Sequence, residues 1–220
     1  MRPLRGPRRI PRDMLDLVWT GLILAGGRSL RMGRDKTALK LGGMTLLARA
    51  VDRVRQAGGE PLVLGPPRSH AEVSGSRQID ENDRASGGRG GPLFALRRGL
   101  QECGTRLVLA LACDVPLVPV PLLRFLVEEA ERYDAVVPRA AGELQVLTAA
   151  YTISCLEAID RELHSGGRAV HNLLSCVRTR VVEADELLAF GGEGVFLNIN
   201  TPEDLARAEA LVGGRESPDP

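Results

Sequence analysis

The sequence predicts an α/β fold, a single doubly wound domain around a mostly parallel sheet. Three observations carry that expectation. The apolar runs LVWTGLILA (17–25) and RLVLALA (106–112) are continuous rather than alternating, as in strands covered on both faces. Segments of helical periodicity separate the strand candidates, which is the pattern of βαβ units. The 220 residues also suffice for one core, since a chain of this size buries roughly 70% of its unfolded surface.

The elements follow in order. The first strand, 17–25, ends at Gly26-Gly27 and opens a loop rich in glycine and arginine. Leu46, Leu47, Ala50, Val51 and Val54 recur at helical spacing over 44–57, and Gly58-Gly59 stops that helix. Pro61 to Leu64 reads as a strand. The polar stretch 65–91 holds a short strand candidate near 77–79 and the run Ser86-Gly87-Gly88-Arg89-Gly90-Gly91; such a loop in a compact domain is functional or mobile. Pro92 suits a first helical turn, with Leu93, Leu96 and Leu100 on one face. The strand 106–112 ends at Cys113-Asp114-Val115-Pro116. A helix over 120–132, a strand at 134–138, a turn at Ala141-Gly142-Glu143 and a strand at 144–151 come next. Helices at 154–164 and 168–176 and strands at 179–183 and 194–199 lead to Thr201-Pro202-Glu203-Asp204. That tetrapeptide carries a capping hydroxyl, a first-turn proline and an acid three residues after the cap. The domain is expected over 17–213, with a basic, disordered segment or residues upstream of a start at Met14 over 1–16, and a frayed tail over 214–220.

Composition excludes several classes. Hydrophobic residues make up 44% and charged residues 26%, and no apolar run reaches the ~18 residues of a membrane span. The net charge of +1 conceals an asymmetry: five of the 29 basic residues (Arg2, Arg5, Arg8, Arg9, Arg12) precede the first acid, leaving 24 against 28 acids, a net −4. A basic nucleic-acid-binding body is excluded, and seven aromatics are too few for a single-strand stacking platform. The N-terminus lacks the contiguous apolar segment of a secretory signal, so a cytoplasmic chain is expected. Cys103, Cys113, Cys155 and Cys176 form no C-x-x-C pair and read as buried small hydrophobes or incidental thiols.

Chemistry concentrates after the first strand, in LAGGRSLRMGRDK (24–36). Glycines admit close backbone approach, and consecutive amides there can form an anion-binding nest. Arg28, Arg31, Arg34 and Lys36 against Asp35 give a local +3, as a polyphosphate requires. Gly33 is followed by Arg34, so this is no Walker A loop. The strand exit has no G-x-G-x-x-G, which disfavours a dinucleotide site, and Ser29 lacks the second glycine of a nucleophile elbow. His70, His164 and His171 have no zinc-ligand spacing. Asp114, just past a strand's carboxyl end, is the candidate Mg²⁺ ligand, because magnesium takes one or two carboxylates plus substrate phosphates. Its competing role is to cap the turn before Pro116.

Together, LAGGRSLRMGRDK, Gly91-Pro92-Leu93, Cys113-Asp114-Val115-Pro116 and Asn198-Ile199-Asn200-Thr201-Pro202-Glu203-Asp204-Leu205 resemble the molybdenum cofactor guanylyltransferases, colinearly over about 17–213. The resemblance implies a Rossmann-like nucleotidyltransferase fold and Mg²⁺-dependent transfer of GMP from GTP to the terminal phosphate of molybdenum-bound molybdopterin, with pyrophosphate released. It implies that Leu24, Ala25, Gly26, Gly27, Lys36, Asp83 and Asp114 bind nucleotide, with Asp80 competing for the place of Asp83. It further implies that Arg31 faces the reacting phosphates, that Asp114 holds the metal, and that Asn198 and Asn200 serve the molybdopterin side. Cofactor-biosynthesis proteins and apo-molybdoenzymes are the implied partners. Two departures stand out: Gly65 where relatives can carry a nucleotide-contacting asparagine, and Val146 where a proline is frequent.

Such a reaction needs no side-chain nucleophile, because the attacking phosphate is already anionic. The enzyme must align two like-charged reactants and neutralise charge as pyrophosphate leaves. Lys36, Arg31, the Gly26 and Gly27 amides and Mg²⁺ on Asp114 fit those roles. A cytidylyltransferase for the same cofactor, a sugar- or alcohol-phosphate nucleotidyltransferase and a non-catalytic nucleotide-binding regulator are the alternatives. The resemblance implies the guanylyl group through the second glycine of Leu24-Ala25-Gly26-Gly27, since the cytidylyl relatives more often show an LAAG-like pattern.

Overall fold

The computed structural model describes residues 18–26, 35–69, 73, 75–80 and 91–213. The expected tails and the run Ser86–Gly90 lie outside the described residues.

The first half contains β1 (Thr20–Leu24), β2 (Lys40–Leu41), β3 (Met44–Thr45), α1 (Leu46–Ala57), β4 (Glu60–Gly65), β5 (Arg77–Asp80), α2 (Pro92–Glu102) and β6 (Leu107–Ala112). The second half adds α3 (Val120–Glu129), β7 (Ala135–Ala140), β8 (Glu143–Leu144), β9 (Thr148–Thr152), α4 (Cys155–His164), α5 (Val170–Cys176), β10 (Thr179–Val182), α6 (Ala184–Leu187) and α7 (Pro202–Gly213). The main sheet runs β10-β7-β9-β6-β1-β4-β5, with β8 beside β7. It is mostly parallel: β1 pairs parallel with β4 and β6, placing Leu24 opposite both Leu64 and Ala112, whereas β9 lies antiparallel between β6 and β7.

The continuous apolar strands are covered on both faces, as their composition requires. Ile23 belongs to a core shared with α1 and α3, while Leu22 faces one shared with α2, α4 and α5. Full burial of each such side chain contributes roughly 1.5–3 kcal/mol. Two glycines bring helices directly onto β1. A Cβ on Gly21 would stand 2.3 Å from Val54 of α1, and one on Gly99 of α2 would stand 2.1 Å from Leu22. Helix α1 begins where the Thr45 hydroxyl accepts from the Ala48 amide at 3.1 Å and ends at Gly58 in the left-handed region, φ 93°.

The chain leaves β1 for β4 and β5 on one side, then returns to β6 on the other. The loops after β1 and β6 therefore diverge at the carboxyl edge, where open α/β sheets bind ligands.

Two expectations need correction. Residues 194–199 do not form a strand: Glu193–Phe196 is a 3₁₀ turn, entered through Gly191 and Gly192 at φ 102° and 73°. Val195 and Phe196 bury themselves in the α1/α3 core without pairing a sheet edge. The strand at 144–151 is broken, because the Gln145 amide donates to Pro138 at 2.8 Å and its carbonyl accepts from Thr148 at 2.9 Å, folding a turn between β8 and β9. Cys103, Cys113 and Cys155 are buried, and Cys176 is exposed. No helix of the described residues is long and apolar enough to cross a membrane.

Candidate active site

Strand β1 delivers Leu24, Ala25 and Gly26 to the carboxyl edge. The Ala25 amide extends the β1–β4 pairing by donating to the Leu64 carbonyl at 2.8 Å. This seats Ala25 so closely on Gly65 that a Cβ there would lie 2.8 Å from the Ala25 carbonyl carbon and 2.9 Å from its oxygen. The departure at Gly65 thus has a steric reason, since any side chain would meet backbone.

The 3₁₀ turn Lys36–Ala38 presents the lysine. Asp35 caps that turn, its Oδ1 accepting from the Thr37 amide at 3.0 Å and from the Thr37 hydroxyl at 2.7 Å. Its Oδ2 pairs with the Arg68 guanidinium. From the neighbouring strand end, β6 supplies Asp114. Lys36 Nζ stands 3.8 Å from Asp114 Oδ2, with side chains 16% and 26% exposed. Leu24, Ala25, Gly26, Lys36 and Asp114 line a common cleft of about 210 Å³.

A third element completes the cluster. Ile199 is buried in a satellite core with Leu41, Leu46, Leu117 and Ala208, and its amide donates to the Asp114 carbonyl at 2.8 Å. The next residue, Asn200, accepts a hydrogen bond from Lys36 Nζ through Oδ1. Asp204 fixes this approach, because its Oδ2 accepts from the Asn200 and Thr201 amides, both at 2.9 Å, while the Thr201 hydroxyl accepts from the Asp204 amide at 3.2 Å. The expected start of the last helix is present, and it also positions an asparagine beside the lysine.

The electrostatics of the two acids differ. Burial raises the Asp114 carboxyl above its ordinary range, and Lys36 offsets this only in part. Burial also works to raise Asp35, but hydrogen bonds from Arg68 and Thr37 outweigh it and hold that carboxyl below 3.8. Cys113, in the wall of the cleft, is pushed up to about 12 by burial and by Asp114, so its thiol stays uncharged and is no nucleophile.

The structure therefore brings together Leu24, Ala25, Gly26, Lys36, Asp114 and Asn200 from the expected set. Asn198 is exposed. Asp80 ends β5 opposite Gly65. Gly27, Arg28, Arg31, Arg34 and Asp83 lie outside the described residues. Sequence reasoning missed the tie between Arg68 and Asp35 and the contact of Asn200 with Lys36. An aspartate two residues before a threonine was the available signal for the cap; nothing local pointed to Arg68. A larger, shallow depression of about 450 Å³ lies at the opposite edge of the sheet, by Asp134 and Arg178. Those two side chains pair with each other at 3.1 Å, and no part of the cluster reaches them.

Among the described residues no three His, Cys, Asp or Glu side chains gather around one point. The donor chemistry at the cleft, one carboxylate beside a cation, does not fit zinc, which needs several protein ligands. It does fit Mg²⁺ completed by phosphate oxygens and water.

A strand-end glycine loop, a lysine and a carboxylate at the switch point are what a nucleoside triphosphate's phosphates require. The family described as "MobA-like NTP transferase domain" matches residues 21–181. The chain belongs to this family. It is accordingly a nucleotidyltransferase, and the matched span contains β1, Lys36 and Asp114. The chain is 34% identical over 194 residues to the "Probable molybdenum cofactor guanylyltransferase" of Pelotomaculum thermopropionicum, covering 88% of this chain and 93% of that one. It is 30% identical to the molybdenum cofactor guanylyltransferase of Desulfosudis oleivorans, with 88% and 95% covered. Among solved structures, molybdopterin-guanine dinucleotide biosynthesis protein A from Archaeoglobus fulgidus superposes with a TM-score of 0.72 at 23% identity, covering 89% of this chain and 99% of that chain. With that structure of the MobA-like family the chain shares its fold.

Proposed function

We propose that the chain transfers GMP from GTP to the terminal phosphate of molybdenum-bound molybdopterin. A phosphate oxygen of the acceptor attacks the α-phosphorus of GTP, a new P–O bond forms, and the bond to the β-phosphate oxygen breaks as pyrophosphate leaves. No proton has to be removed from the nucleophile. Work falls instead on alignment and charge neutralisation. The observation that carries this reading is the convergence of Lys36, Asp114 and Asn200 at the carboxyl edge of β1 and β6, in a chain 34% identical to a relative bearing that name.

Lys36 places a compact charge against the phosphates, a role that a planar guanidinium does not duplicate. The Leu24 to Gly27 backbone lies along the nucleotide, with Arg31 facing the reacting phosphates and Asp83 or Asp80 contacting the nucleotide. Mg²⁺, when bound, is held by Asp114 and supplies further positive charge to the phosphates. Asn200 orients Lys36 and, with Asn198, serves the acceptor side. The reaction is placed in the cytoplasm, with the product passed to an apo-molybdoenzyme.

The test is pyrophosphate release with GTP, with CTP and without molybdopterin. Release requiring both GTP and the molybdenum-loaded acceptor is expected. Selective use of CTP, or release independent of the acceptor, overturns the assignment.

A further inference from the structure

We propose that Arg68 is a positioning residue for the phosphate-binding turn and acts on Lys36 through Asp35. The proposal rests on the reading of Lys36 as the cation that meets the nucleotide's phosphates.

The connection is continuous. Gln78 of β5 holds the Arg68 backbone from both sides, accepting from its amide at 2.9 Å and donating to its carbonyl at 3.3 Å. Pro66 and Pro67 stiffen the link from β4 to Arg68. The guanidinium then pairs with one oxygen of Asp35, whose other oxygen caps the turn that starts at Lys36. Strand β5, at the edge of the sheet, is thereby tied to the lysine beside Asp114.

Stability alone gives a poor account of this arrangement. The Arg68 side chain is 10% exposed whereas Asp35 is 43% exposed, and Arg68 Nε is buried with no hydrogen-bond partner among the described residues. A pair with so exposed a carboxylate stabilises little, and an unmatched buried donor costs stability. What the arginine does accomplish is to fix the orientation of Asp35, which without it would be held from the turn side alone.

The experiment uses inorganic tripolyphosphate as probe, titrated calorimetrically into the full chain. Arg68→Ala is expected to weaken binding roughly tenfold in the presence of Lys36, but by less than about twofold in a Lys36→Ala background. Arg68→Lys is expected to recover only part of the loss, because an ammonium lacks the planar fork. Thermal midpoints are recorded for all variants. An equal loss in both backgrounds, unchanged binding in Arg68→Ala, or a loss that tracks a lowered midpoint overturns the proposal, as does absence of tripolyphosphate binding to the unmodified chain. Coupled binding without GTP-dependent pyrophosphate release would instead leave the clamp standing and sink the guanylyl-transfer reading.

Discussion

Two half-buried acid–base contacts in this molecule resemble each other in composition and differ in completion. On the β10 flank, Arg180 meets Glu129 at 2.8 Å and Glu186 at 2.6 Å, donates to the Val181 carbonyl at 3.0 Å and lies 5.8 Å over the Phe125 ring. Its hydrogen bond holds the Glu186 carboxyl below 4.5 despite partial burial. At the switch point, Lys36 stands 3.8 Å from Asp114, and the Asp114 carboxyl is still raised by burial. The first carboxylate has all the positive charge it needs. The second lacks some, at the one edge where the sheet opens to ligands. A carboxylate left under-neutralised by its own fold is the better marker of function.

That contrast can be broken most sharply at Asp114. Asp114→Asn is expected to lower kcat/KM for pyrophosphate release by roughly 10³-fold. It is also expected to leave the chain at least as stable at neutral pH. The sign follows from the raised folded pKa: above 3.8 the unfolded chain ionises more readily than the folded one, so the native charge opposes folding. A variant both inactive and strongly destabilised would contradict this.

Lys36→Arg keeps the charge and tests its shape. A fall in kcat of roughly 10²-fold with little change in thermal midpoint is expected, and full activity would show that any cation serves. Gly65→Ala should raise the KM for nucleotide about tenfold and cost about 1–3 kcal/mol, because its methyl meets the Ala25 carbonyl. Kinetics and chemical denaturation read the two effects separately. The smallest effect on turnover belongs to the completed pair. Arg180→Ala is expected to leave kcat unchanged and to cost about 1–2 kcal/mol, discounted for its partial exposure. Since the folded pKa of Glu186 is depressed, that difference should be full above pH 4.5 and shrink as pH falls below it, as urea titrations at several pH values would register.

The fold was legible wherever periodicity decides structure. The continuous runs 17–25 and 106–112 became β1 and β6 because strands covered on both faces need such runs. Where apolar residues bury themselves without pairing, the same signal misled, as at Val195 and Phe196. Local chemistry also exposed half of the site: glycines at a strand exit, the lysine of the cationic loop and the aspartate before Val115-Pro116. The contacts of Asn200 with Lys36 and of Arg68 with Asp35 span 164 and 33 residues. Pairings at such separations depend on how the satellite core and the edge strand pack, and no local spacing encodes them.

The same 164-residue separation has a consequence in time. Synthesis at about 5–20 residues per second delivers Asn200 roughly ten to thirty seconds after Lys36. Throughout that interval a nascent chain carries its lysine without the acceptor that orients it. Because Asn200 itself is held by Asp204 at the head of α7, the ribosome must release the chain as far as Asp204 before the cluster can close. The site therefore closes only once Asp204 has emerged, and a chain truncated before Asn200 yields a sheet without a finished site.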